Sequence, residues 1–418
     1  MKKLIPLFVC LLAFIFVEAK PHVWVYTDMS DPRDRRAGGH PQNDPDDICT
    51  MASFLLQANR FEIGGIVYSS TNRKNLGDAT NFVENVFVAA YEHDRPHLEK
   101  AFGGYPESLP FIRSDITKSP VPVKFDPEKT YESLEGLETV KALVEYAEEQ
   151  QVYVLLWGPL TEAAIAVQHC LYTGNTEALE NMTMIAHWTK SWIAQGTPEA
   201  PFKVANCRDD WEACMFLHDK AKELEEVKYI ELGSVGQKGV VDGATNYPDF
   251  DAFNSSRLGQ IFIKSKFYHG KPDQSDGSTF WLLTEEFGVT LDDYPHDGTL
   301  SMEQEIANRD GFKAKGFAIM DDLKARSDAA SVGDPFPESF IADYFTYVYQ
   351  FLNGRYYVYL PYEGSYKFVD SDGKIAKQAT LKAGNHQLDL SDLVVGDYMV
   401  YVDCGGIVQE FPMEKVAE

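Results

Sequence analysis

Cysteine is scarce in this 418-residue chain, which has six. Cys10 lies in an apolar N-terminal run, leaving Cys49, Cys170, Cys207, Cys214 and Cys404. So few, so widely spaced and odd in number, they exclude a disulfide-built scaffold and leave the fold to a hydrophobic core. For Cys207 and Cys214, a local bridge and buried free thiols both stay open. Basic charge is also short. Lys and Arg number 38 against 64 Asp and Glu, a net charge of −26. That balance excludes long-range attraction to nucleic acid or an anionic membrane. Beyond the N-terminus no apolar run is long enough to cross a bilayer, and there are no internal repeats or low-complexity tracts.

What is present begins with an export signature. Lys2 and Lys3 precede "LIPLFVCLLAFIFV", and Val17 and Ala19 occupy the small-residue positions of a cleavage site. Residues 1–19 are read as a secretory signal peptide, and the protein as secreted or periplasmic. Cys10 lies inside the apolar run rather than after it, which argues against a lipid anchor.

The rest alternates. "HVWVY" (22–26), "FEIGGIVY" (61–68), "VYVLLW" (152–157), "MTMIAHW" (182–188) and "VKYIEL" (227–232) read as strands. Between them, "DDICTMASFLLQAN", "ATNFVENVFVAAYEHD", "LETVKALVEYAEEQ", "TEAAIAVQHCL" and "DDWEACMFLHDKAKEL" have helical periodicity. Strands apolar on both faces, alternating with helices, predict a three-layer α/β domain with a mostly parallel sheet over residues 20–354. Ligands in such domains bind beyond the C-terminal ends of the strands. "PESFIADYFTYVYQFLNG" (337–354) reads as a last helix closed by Gly354. After it, short aromatic strands and turns such as "DSDG" predict a small β-sandwich-like domain over 355–418, packed on the first. "GSVGQKG" (233–239) is set aside as a phosphate loop because no strand-to-helix context is read around it.

Residues 23–56 crowd together Asp28, Asp31, Asp34, Asp44, Asp46 and Asp47. Asp31 and Asp34 lie among prolines and arginines and read as turn residues. Asn43 or Asp44 can cap a helix with Pro45 at its first position. Asp46 and Asp47 are different. One acid in a first helical turn is favoured, but two beside a strand end carrying a third repel each other. A hard divalent cation relieves that repulsion, and carboxylates without Cys or His favour calcium or magnesium, calcium outside the cell.

These residues resemble the nucleoside hydrolase family, in which a strand ends in Asp-Thr-Asp and two further aspartates open the next helix. The resemblance puts Asp28 on the strand-end aspartate, with Asp46 and Asp47 on the later pair. Here an insertion, "DPRDRRAGGHPQN", separates them. Asp44 falls outside the family spacing. Other stretches follow in order. "GGIVYSSTN" puts Asn72 on a sugar-contacting asparagine. "LLWGPLTEAA" resembles the "GPLTN" turn, which implies that the Trp157 carbonyl binds the metal, with Glu162 in place of an asparagine. "VANCRDDWEAC" puts Asn206 on a second sugar-binding asparagine, with Val204 in place of a glutamate. "KPDQSDGSTFWLL" makes Asp276 the last metal aspartate, and Ser275 stands where many members carry a histidine that assists the leaving group. His296-Asp297 rivals Ser275-Asp276, but Asp276 precedes the apolar run of a buried helix and is preferred. The whole resembles a secreted, divergent, nucleoside hydrolase-like branch with a β-rich C-terminal module.

The resemblance implies calcium-assisted hydrolysis of an N- or O-glycosidic bond in a small sugar or nucleoside-like substrate. Asp28 is the expected base; Asp28, Asp46, Asp47, Asp276 and the Trp157 carbonyl are the expected metal ligands. Asn72 and Asn206 are expected to hold sugar hydroxyls. His187 and Trp188, following the fourth of these strands, are read as pocket-lining, and Trp192 as a sugar-stacking or core residue. The alternative is a non-catalytic, calcium-dependent glycan-binding protein on the same scaffold. Neither nucleic acid nor membrane is expected as a partner, and a homo-oligomer is left open.

Overall fold

The computed structural model describes residues 19–34, 44–71, 79–118, 123–158, 160–350 and 355–415. The signal-peptide reading falls, but for Ala19, outside the described residues, as does Asn72. Six strands form one parallel sheet: β1 (His22–Tyr26), β2 (Glu62–Tyr68), β3 (Phe111–Arg113), β4 (Val152–Leu156), β5 (Met182–Ala186) and β6 (Lys228–Glu231), in the order β3-β2-β1-β4-β5-β6. β1 shows why its sequence is apolar from Val23 to Tyr26. Val23 and Val25 enter one hydrophobic core, Trp24 and Tyr26 the other, so both sheet faces are covered. The chain winds from β1 toward β3 on one side and from β4 toward β6 on the other. The direction reverses between β1 and β4, and in such sheets the crevice beyond these strand ends is the favoured ligand site.

The helices follow the predicted alternation: Pro45–Leu56, Glu138–Glu149, Thr161–Thr173 and Trp211–Glu223. A long helix, Met302–Ala330, starts with a capping box in which Ser301 accepts from the Gln304 backbone and Gln304 returns to Ser301. Asp44 does stand at the cap position of the Pro45 helix, but at φ 42 with no side-chain capping bond. "GSVGQKG", read without strand-to-helix context, does run from β6 into a π-helical segment, Gly236–Val241. A Cβ at Gly236 would strike the Ser275 carbonyl and the His187 ring, so this glycine serves close packing at the strand ends.

The last helix is shorter than read. It spans Glu338–Phe345, and the chain then becomes strand β9 (Tyr347–Gln350). "YVYQ" combines aromatic and β-branched residues, and pairing with β10 (Tyr356–Leu360) decides its state; Gly354 lies outside the described residues. β10 also pairs with β13 (Gly384–Leu388). Opposite lie β11 (Gly364–Asp370), β12 (Ile375–Leu381), β14 (Gly396–Cys404) and β15 (Ile407–Lys415), in the order β12-β11-β14-β15. Val358, Leu360, Phe368, Val400 and Val402 fill the core between these antiparallel sheets. The opposite face of β10 turns to the α/β domain, where the Tyr359 hydroxyl donates to the Lys264 carbonyl at 2.9 Å and accepts from the Phe267 amide at 3.1 Å.

Candidate functional site

Asp28 is the second residue after β1, and the parallel register places it just beyond the end of β4. A Cβ at Gly158 would collide with the Asp28 carboxylate, so only glycine after Trp157 leaves room for that side chain. Asp28 is 1% exposed.

The Pro45 helix aims its two acids differently, because consecutive helical residues point about 100° apart. Asp47, 1% exposed, turns into the strand ends, where its Oδ2 accepts from the Thr27 hydroxyl and, at 3.1 Å, from the Asp28 amide. Asp46 turns sideways to the Lys266 ammonium, 3.0 Å away. Lys266 also lies 3.0 Å from Asp273. A hairpin produces that pairing: β7 (Phe267–Tyr268) and β8 (Lys271–Pro272) are joined by His269 at φ 53 and Gly270 at φ 76, which sets Lys266 opposite Asp273. Sequence reasoning missed Lys266. The "HG" turn after the aromatic pair "FY" was the available signal.

Asp276 enters from a third direction, on the short 3-10 turn Ser275–Gly277, and is 2% exposed. Its backbone carbonyl accepts from the Thr279 hydroxyl at 2.7 Å, which in turn accepts from the Trp157 indole at 2.8 Å. Among the described residues Asp276 Oδ2 is buried with no hydrogen-bond partner. Oδ1 lies 3.7 Å from His187 Nε2. The rival Asp297 sits elsewhere, bridged to Tyr229 on β6 with its carboxylate accepting from the Thr299 amide at 3.1 Å.

Burial raises the Asp47 carboxyl well above the usual carboxylate range, and the charges of Asp276 and Asp28 add to the effect. Asp276 is raised in the same way, by burial and then by Asp46. Burial would raise Asp46 too, but the Lys266 ammonium, together with hydrogen bonds from Asp44 and the backbone, outweighs it and holds Asp46 well below the usual range. Burial pushes His187 down to about 4, leaving it neutral at neutral pH.

A hard divalent cation suits this donor set. Three buried carboxylates converge, two are raised partly by neighbouring negative charge, and one oxygen is unpartnered. Among the described residues no group of three or more Asp, Glu, His or Cys side chains is placed to hold a metal ion.

Asn206 spends its amide on the backbone, donating to the carbonyls of Trp157 at 3.1 Å and His187 at 3.0 Å. It thereby ties the ends of β4 and β5, and its Oδ1 remains as an acceptor. The adjacent Cys207 is bridged to Cys214, which closes the pairing left open by the sequence. Glu162 is structural: it accepts from Ser70 at 2.6 Å, Ser114 at 2.7 Å and Thr139, binding the ends of β2 and β3 to two helix starts. Asp31 is also structural, accepting from the Arg33 amide at 2.9 Å and from its guanidinium at 3.1 and 3.0 Å. Trp192 is anchored through its amide to Glu305 at 2.7 Å and through its indole to the Leu300 carbonyl at 2.8 Å. Asp28, Asp47, Asp276, His187, Asn206 and the Trp157 carbonyl thus meet at the strand ends, with Asp46 at the side.

No curated protein matches the chain. A family model described as "Cellulose-binding Sde182, nucleoside hydrolase-like domain" matches residues 39–229, just under half of the chain. The match takes in Asp46, Asp47, Trp157, His187 and Asn206, while Asp28 and Asp276 flank it. With the six-stranded parallel sheet around it, this stretch identifies the chain as carrying a nucleoside hydrolase-like domain.

Proposed function

We propose that the strand-end basin takes a carbohydrate and hydrolyses a glycosidic bond with the aid of calcium. The convergence of Asp28, Asp47 and Asp276 carries this reading. Three acids buried together from three separate elements cost stability, and such arrangements concentrate where charge is used. Calcium would be held by these carboxylates and the Trp157 carbonyl. When bound, it would neutralise the acids and lower the pKa of a water molecule. Asp28 would be the base that takes a proton from a water molecule attacking the anomeric carbon. Asp47 is fixed by the Thr27 hydroxyl and the Asp28 amide, so it orients the Asp28 backbone as well as supplying charge. Asn206 offers Oδ1 to a sugar hydroxyl. Ser275 accepts from Gln237 at 2.8 Å and is a poor acid, so substrates whose leaving group departs with little protonation are favoured. An exported location goes with this reading: the basic and apolar N-terminus and the Cys207–Cys214 bridge both suit an oxidising compartment.

A glycan-binding role without catalysis is the second reading. It is favoured by Lys266, which occupies Asp46, and by the matched family's description as cellulose-binding. Turnover and calorimetric binding of inosine, aryl glycosides and cello-oligosaccharides, with calcium and with chelator, separate the two. Turnover abolished by Asp28→Asn supports hydrolysis. Binding without turnover in the wild type supports the second reading, and neither binding nor turnover sinks both.

A further inference from the structure

Trp188 is the second residue after β5, next to His187. Its backbone is left-handed at φ 58, a conformation that a bulky side chain adopts only under strain. Strain of this kind persists where the surrounding structure enforces it, and it concentrates at functional sites. Full burial is not what Trp188 gains, because its side chain remains partly open to solvent.

Its orientation is nevertheless fixed, at its polar edge and against a neighbouring ring. The indole N–H donates to Gln195 Oε1 at 3.0 Å, and that oxygen also accepts from the Ala205 amide at 2.8 Å, next to Asn206. Gln195 is itself left-handed, at φ 61. The indole lies near-parallel to the His187 ring, with centroids 5.8 Å apart and planes 25° apart. His187 in turn lies beside Asp276. A rigid, partly open aromatic ring with its polar edge already satisfied thus stands one residue from the basin wall.

We infer that Trp188 is the platform on which the site seats a pyranose ring. The inference rests on the carbohydrate reading above and names how that site recognises the sugar. The face of an aromatic ring is negative, and the axial C–H bonds on the flat side of a pyranose present positive edges to it. Anchoring through Gln195 removes the rotamer freedom that binding would otherwise have to freeze. Trp192 differs from Trp188 in kind: its ring faces the Lys190 ammonium, 5.3 Å from the centroid, and its indole N–H is tied to Leu300.

The test titrates cellohexaose into the full chain in calcium buffer, read by calorimetry and by tryptophan emission. Trp188→Ala should weaken binding about tenfold or more, the scale of one lost aromatic contact. Trp188→Phe keeps a ring and should retain more affinity, yet lose the sugar-induced change in emission. Trp192→Phe should keep both signals. Wild-type affinity in a folded Trp188→Ala overturns the platform and leaves the carbohydrate reading standing. Wild-type protein that binds inosine and not cellohexaose overturns both the pyranose reading and the platform.

Discussion

The Lys266 ammonium lies 3.0 Å from the Asp46 carboxylate, although 220 positions separate the two in the chain. The same ammonium holds Asp273. One lysine is therefore the internal counter-ion for the outer side of the acidic basin, while Asp28, Asp47 and Asp276 are turned inward.

Removing that lysine leaves two largely buried carboxylates unpaired. Lys266→Met should destabilise the fold by about 3–5 kcal/mol, the range for breaking one partner of a buried pair. Urea unfolding measures it. Asp46→Asn combined with Lys266→Met should recover part of the loss, because one uncompensated charge is removed with the cation. A loss as large in the double variant would disprove the pairing as the cause.

The inner acids predict a response to calcium. A hundredfold excess of calcium over its dissociation constant should raise the unfolding free energy by about 2.7 kcal/mol. Asp276→Asn should abolish most of that gain. An unchanged melting curve in chelator, with no metal by elemental analysis, would remove calcium from the reading.

Chemistry should separate from binding at Asp28. Asparagine preserves the shape beside Gly158 but cannot take a proton. Turnover of an activated aryl glycoside should fall by about 10²–10⁴ in Asp28→Asn, with calorimetric affinity for the sugar retained. Full turnover in this variant would refute Asp28 as the base.

A pH effect should arise from Glu231, which is 1% exposed at the end of β6 and accepts from the Thr189 hydroxyl at 2.5 Å. Burial pushes its carboxyl up to about 7 from an ordinary 4.5. The folded state therefore holds a proton that the unfolded state releases, so this group's contribution is complete below about pH 4.5 and lost as pH rises through about 7. The loss is on the order of 3 kcal/mol at 1.36 kcal/mol per unit. His218 lies 3.8 Å away, and burial pushes it down to about 3, which gives a slope of the opposite sign. Subtracting the Glu231→Gln stability profile from the wild-type profile isolates the Glu231 part. A flat difference between pH 5 and 8 would contradict it.

Much of the scaffold was legible along the chain. β1 is apolar at successive positions because both its faces are buried, and "TEAAIAVQHCL" forms a helix from Thr161, where it was read to begin. Such features depend on residues a few positions apart, and local periodicity records them. Asp28 was legible as a strand-end acid for the same reason. The 337–354 segment misled because "YVYQ" takes its state from β10, a partner the helical pattern before it does not report.

Which side chains meet was decided in three dimensions. Asp276 and Asp297 both follow short polar stretches, and only the sheet order and the packing of the Ser275 turn send one to His187 and the other to Tyr229. Adjacent in sequence, Asp46 and Asp47 share one composition signal, yet the helical rotation gives one to Lys266 and the other to Thr27. Glu162 looked like a replaced site residue and proved to be a knot of three hydroxyl hydrogen bonds. The physical reason is common to all three. A strand or helix is chosen by its neighbours in the chain, whereas a partner for a buried charge is chosen by whichever loops the topology brings to the same sheet edge.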